Sequence, residues 1–164
     1  GVTADDPKIN LKLPKSVIKE PKTVSVHMFS SKWPHGIRSI EKQKQILIVD
    51  YLLRKGYKVY QISSPNQPTL PGVIKPSGTY YDACMNVLKT DFLISCDSGM
   101  VFIASAYDHP SLGLFSSGYN PLVPTTKNLQ PINPNAIYLE SYRGSDISIY
   151  KIFESIDELI RKTS

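Results

Sequence analysis

The run Phe92-Leu93-Ile94-Ser95-Cys96-Asp97-Ser98-Gly99-Met100 has the make-up of an anion site. Strand formers end in Asp-Ser-Gly, and small and apolar residues begin a helix at once. The first amides of such a helix lack internal partners and point outward. With the helix dipole they favour phosphate, and Gly99 lets a ligand approach the backbone. The same residues also read as an Asp or Ser N-cap closing a tight turn. Two further polar turns follow predicted strands. Ser30-Ser31-Lys32 offers hydroxyls and a flexible ammonium that suits phosphate. Ser116-Ser117-Gly118 would form a third edge of the same crevice.

Other chemistries lack their residues. There is no GxxxxGK[ST] or GxGxxG phosphate loop. Ser98 is preceded by Asp and is not an elbow nucleophile. His27, His35 and His109 are far apart in sequence. His27 falls in a strand, where a satisfied structural role is expected, whereas His35 sits in a polar loop open to ligand or solvent. No DxD pair is present, so a diphosphate would be neutralised by amides, hydroxyls and Lys32 rather than by a metal. Cys84 and Cys96 form no zinc pattern and are expected as reduced, partly buried thiols, as in the cytoplasm. The net charge of +5 suits either an anionic ligand or a solvated basic surface. No block of like charges or stacking platform points to nucleic acid.

The elements that would position these turns are legible in the periodicity. Residues 1–22 read as an extended arm or linker, because Pro7, Pro14 and Pro21 oppose a helix. Thr23–Phe29 reads as a strand, Ile40–Leu53 as a helix capped by Ser39 and stopped by Gly56, and Tyr57–Ile62 as a second strand. A Pro-rich loop follows, with a short strand at Val73-Ile74. A helix from Thr79 to Leu88, the strand Phe92–Ser95, the helix Met100–Tyr107 and the strand Ser111–Phe115 come next. Ala136–Leu139 is a last strand, and Tyr150–Arg161 an amphipathic closing helix. The order is that of a Rossmann-like α/β domain over 23–164, with a parallel sheet and flanking helices. At 41% hydrophobic and 20% charged residues, the chain can bury a core without disulfides. No apolar run is long enough to span a membrane, and Gly1 in place of Met suits a processed chain or a fragment.

With these elements in place the sequence resembles the C-terminal domain of the heptosyltransferase-like, family 9 glycosyltransferases, which have the GT-B fold. Ser31-Lys32-Trp33-Pro34 before a helix and Gly56-Tyr57-Lys58-Val59 carry the first part of the likeness. Thr90-Asp91-Phe92, Asp97-Ser98-Gly99, Ala104-Ser105-Ala106, His109-Pro110 and Leu112–Phe115 carry the second. The resemblance covers roughly 23–125. It implies a single GT-B half-domain that binds a nucleotide diphosphate sugar, without a cofactor or metal, as part of a glycosyltransferase. It implies diphosphate contacts from Ser30, Ser31, Lys32, Asp97, Ser98 and Gly99. It also implies ribose, base or sugar contacts near Ser63, Ser64 and Asn66, with Ser116, Ser117 and Gly118 alongside. The partner would be an N-terminal acceptor domain or a second subunit, which supplies the catalytic base in such enzymes. Two positions depart from the pattern: Met100 stands for the family's Pro and Phe102 for its His. They open an alternative, a non-catalytic structural or interaction module of the same fold.

Overall fold

The computed structural model describes residues 14, 17–29, 38–117 and 130–164. Its elements are β1 (Thr23–His27), α1 (Lys42–Arg54), β2 (Lys58–Gln61), α2 (Tyr80–Lys89), β3 (Phe92–Cys96), α3 (Gly99–Ala106), β4 (Ser111–Ser116), β5 (Ala136–Ser141) and α4 (Ile149–Thr163). A 3₁₀ turn, Gly144–Asp146, precedes α4. The strands form one sheet in the order β2-β1-β3-β4-β5, and every pairing is parallel.

Alternation along the strands builds two cores. Phe92 and Ile94 of β3 face one side, with Leu112 and Leu114 of β4, and pack against Ile48 and Leu52 of α1 and Ile152, Ile156 and Leu159 of α4. Leu93 faces the other side and meets Val87 and Leu88 of α2 and Ile103 and Ala104 of α3. Covered on both faces, β3 is buried at every residue, which is why it reads as a continuous apolar run.

Element ends follow local chemistry. Helix α1 closes with a Schellman motif: the Gly56 amide donates to Leu53 O at 2.9 Å and the Tyr57 amide to Leu52 O at 3.0 Å. Gly56 has φ +81°, the left-handed conformation that the expected stop requires. Helix α2 begins with a capping box between Thr79 and Asp82. The expected Ser39 cap of α1 is corrected: Glu41 holds that position and makes no side-chain cap bond. Ser39 instead offers its carbonyl to the Ser145 hydroxyl at 3.1 Å, which places it one turn outside the helix. The expected strand at Val73-Ile74 is a single parallel bridge between Tyr60 and Ile74.

The described end of the arm is fastened to the sheet's amino-terminal edge. Lys19 Nζ donates to Leu88 O at 2.8 Å and Thr90 O at 3.0 Å, so the ammonium neutralises the negative end of α2. The Glu20 carboxylate accepts from Lys58 at 2.8 Å and from the Tyr60 hydroxyl.

Candidate functional site

The sheet order decides where a ligand can enter. β1 lies between β2 and β3, so the chain leaves β1 towards one face through α1 and leaves β3 towards the other through α3. Adjacent strands whose connections diverge leave a crevice at their carboxyl ends. A cleft of about 520 Å³ lies there, within the range of small-molecule sites.

Its central wall is the turn after β3. Ser98 is the N-cap of α3, and its hydroxyl oxygen accepts from the Met100 amide at 3.3 Å. The Ser95 hydroxyl donates to Cys96 O at 2.8 Å. Ser95 has spent its one proton there, so across the 3.0 Å contact Ser98 is the donor and Ser95 the acceptor. The Ser98 hydroxyl is therefore occupied in both senses. The Val101 amide turns inward to Ser98 O at 3.2 Å. The side chain thus closes the turn, and the Ser98 and Gly99 amides keep no backbone partner among the described residues.

Asp97 lies beside them. Its amide donates to Leu114 O at 3.1 Å, which ties the turn to β4. Its carboxylate is buried, and Arg38 Nε stands 3.7 Å from Oδ2. Burial pushes the Asp97 pKa above the ordinary carboxylate value, and the Arg38 charge pulls it back. Arg38 lies just ahead of α1 and lines the cleft. Sequence reading passed it over, because an isolated Arg in a Ser- and Gly-containing loop carries no local signal.

His27, at the end of β1, also lines the cleft. Its Nδ1 is 2.6 Å from Ile62 O, and a carbonyl only accepts, so Nδ1 carries the proton and Nε2 a lone pair. Burial lowers its pKa and keeps the ring neutral. The expected structural role holds for Nδ1, and the ring is part of the site wall as well.

The outer wall comes from the loop after β2 and the start of α2. Ser63 and Ser64 line the cleft, whereas Asn66 is exposed and lies outside it. Buried Gln61 organises this loop: its Nε2 donates to Pro68 O at 2.8 Å and its Oε1 accepts from the Leu70 amide at 2.8 Å. Tyr80, 62% exposed at the mouth, leans over Gly99. A Cβ on Gly99 would lie 3.2 Å from its hydroxyl oxygen.

Of the third expected turn, Ser116 and Ser117 do not line this cleft. Ser116 is buried at the end of β4, one strand beyond β3, and the Ser117 amide donates to Ser141 O at 2.9 Å. Neither lines the cavity. Ser30, Ser31, Lys32, His35 and Gly118 lie outside the described residues. Among the described residues, no group of three or more His, Cys, Asp or Glu could hold a metal ion. Among them also, no helix is long and apolar enough to cross a membrane.

No protein-family model matches the chain, and a search of the curated proteins finds no significant match. Solved structures do match. A glycosyltransferase family 9 protein from Veillonella parvula superposes with a TM-score of 0.66 at 18% identity, covering 92% of this chain and 48% of that one. The E. coli heptosyltransferase WaaC, solved with ADP, gives 0.64 at 12% identity, covering 87% and 46%. E. coli ADP-heptose LPS heptosyltransferase II gives 0.67 at 13% identity, covering 85% and 46%. The chain spans about half the length of these solved relatives. In fold it is a Rossmann-like half-domain similar to those of GT-B glycosyltransferases of the family 9 and heptosyltransferase type.

Proposed function

We propose that this cleft binds the diphosphate of a nucleotide-sugar donor, as one half of a glycosyltransferase. The observation that carries the reading is the pair of Ser98 and Gly99 amides at the start of α3, without backbone partners among the described residues, in residues that line the crevice where the strand order reverses. Amides held at a helix start need no reorganisation as charge develops on a leaving diphosphate. Ser63 and Ser64 stand across the cleft, where a ribose or base would extend. The family resemblance adds Ser30, Ser31 and Lys32 as further diphosphate contacts. The similarity to a heptosyltransferase solved with ADP supports a nucleoside diphosphate as ligand. An acceptor half, on the same chain or another, would complete the active cleft. No metal or cofactor is needed for donor binding of this kind, so chelation should leave it unchanged.

Calorimetry with ADP, GDP, UDP and CDP tests the reading. One of them should bind, and Gly99→Val should weaken it at least tenfold with the melting curve retained. A Cβ there would meet the Tyr80 hydroxyl at 3.2 Å, and the added bulk would crowd a phosphate on these amides. If none of the four binds or raises the melting point at millimolar concentration, the interaction-module reading gains, which Phe102 already favours.

A further inference from the structure

The end of the sheet opposite the cleft carries a cluster of ammonium groups. Parallel strands joined by crossover helices bring the carboxyl ends of α1 and α2 to this side, and the negative end of a helix dipole draws cations. Lys55 caps α1, Lys89 ends α2, Lys58 opens β2 and Lys22 precedes β1. Contacts hold the four together. The Lys58 amide donates to Lys22 O at 2.9 Å. Lys58 and Lys89 stand 5.2 and 4.4 Å from the centre of the Tyr60 ring, and they meet the Glu20 carboxylate at 2.8 and 3.8 Å. Lys22 stands 4.8 Å from the Tyr57 ring centre, and Lys55 5.1 Å from that of Tyr51. Glu20, and Asp157 at 3.0 Å from Lys55, answer only part of this charge.

Two features exceed what helix dipoles require. Lys22 has φ +56°, in the left-handed region that a side chain enters at a cost. A strained residue persists where its side chain is needed. Ile18, on the arm just ahead of it, is 94% exposed. Lysines around a protruding aliphatic side chain have the make-up of a membrane-surface contact, with charge for headgroups and a wedge for the acyl boundary. The sequence leading to them continues the pattern, with Lys8, Lys12 and Lys15 among Ile9, Leu11 and Leu13. Tyr57 and Tyr60 are buried beneath the lysines, so these rings offer no face for stacking bases. We infer that this end of the domain docks on an anionic lipid surface, through Ile18, Lys22, Lys55, Lys58 and Lys89. A bilayer there leaves the cleft, at the other end of the strands, open to its ligand.

Co-sedimentation of the whole chain with phosphatidylcholine vesicles, with and without phosphatidylserine, tests this. The chain should pellet with the anionic vesicles only, and less as salt rises. Lys22→Gly relieves the backbone and removes one charge, so it should hold or raise the melting point while lowering vesicle affinity about fivefold. Ile18→Ser should lower that affinity several-fold at an unchanged melting point. Wild-type affinity in both variants overturns the inference, as does the absence of pelleting with anionic vesicles at low salt. A chain that ignores vesicles yet binds polyglutamate assigns the face to an acidic protein and overturns it as well. None of these outcomes depends on nucleotide binding, so the donor reading stands or falls separately.

Discussion

At Ser98 the hydroxyl serves the fold, and the proposed donor binding draws on the backbone amide alone. Its hydroxyl bonds Ser95 and the Met100 amide, and its own amide makes no backbone bond among the described residues. Ser98→Ala should therefore cost stability, about 1 kcal/mol as for other lost caps, while ADP affinity stays within about twofold. Urea titration gives the first quantity and calorimetry the second. A tenfold loss of affinity would mean that the hydroxyl itself binds. The turn was legible in the sequence because all its parts are consecutive: strand, Asp-Ser-Gly, helix. Arg38 was not, since its meeting with Asp97 depends on β1 and β3 being neighbours and on a clamp delivered from beyond β5.

At the scale of elements, β4 and β5 stack closely through an absent side chain. Gly113 lies opposite Tyr138, and a Cβ there would stand 2.6 Å from the Tyr138 ring and 2.7 Å from Phe115. Those rings pack edge to face at 5.5 Å between centroids. Gly113→Ala should therefore overpack this face and destabilise the domain by about 1–3 kcal/mol. The denaturation midpoint measures it, and ADP affinity should hold because the contact lies away from the cleft lining. Helix boundaries were largely readable at this scale, as Gly56 and Thr79 show, because caps are local. Ser39 misled, because its hydroxyl suits a cap and only the approach of Ser145 shows that it sits outside the helix.

For the molecule as a whole, acid sensitivity should come from histidine. His109 is buried, and its Nδ1 accepts from Lys19 Nζ at 2.9 Å. Burial first, then the Lys19 charge, push its pKa from 6.5 down to about 3. The unfolded chain then takes up a proton that the folded chain refuses, so stability is complete above about pH 6.5 and falls as pH drops towards 3. His27, also lowered by burial, acts in the same direction. Each such proton costs at most about 1.4 kcal/mol per pH unit. Lowered carboxylates such as Asp82 contribute only at the acid end of this window. The melting point should fall between pH 7 and pH 5, and His109→Asn, which keeps an acceptor for Lys19, should flatten that fall. An identical slope in the variant would remove His109 as the cause.

The sequence by itself determined the parallel α/β order and the turn at Asp97-Ser98-Gly99, because hydrophobic period, caps and turn residues act over a few positions. It could not decide which turns share a cleft. Three polar turns at successive strand ends were expected to share one crevice, yet sheet order is a property of pairing rather than of sequence order. By setting β1 between β2 and β3, the tertiary structure joins the β3 turn to the loop after β2 and leaves Ser116 and Ser117 one strand away. The same packing sets Arg38 against Asp97, a pairing across distant segments that no local pattern encodes.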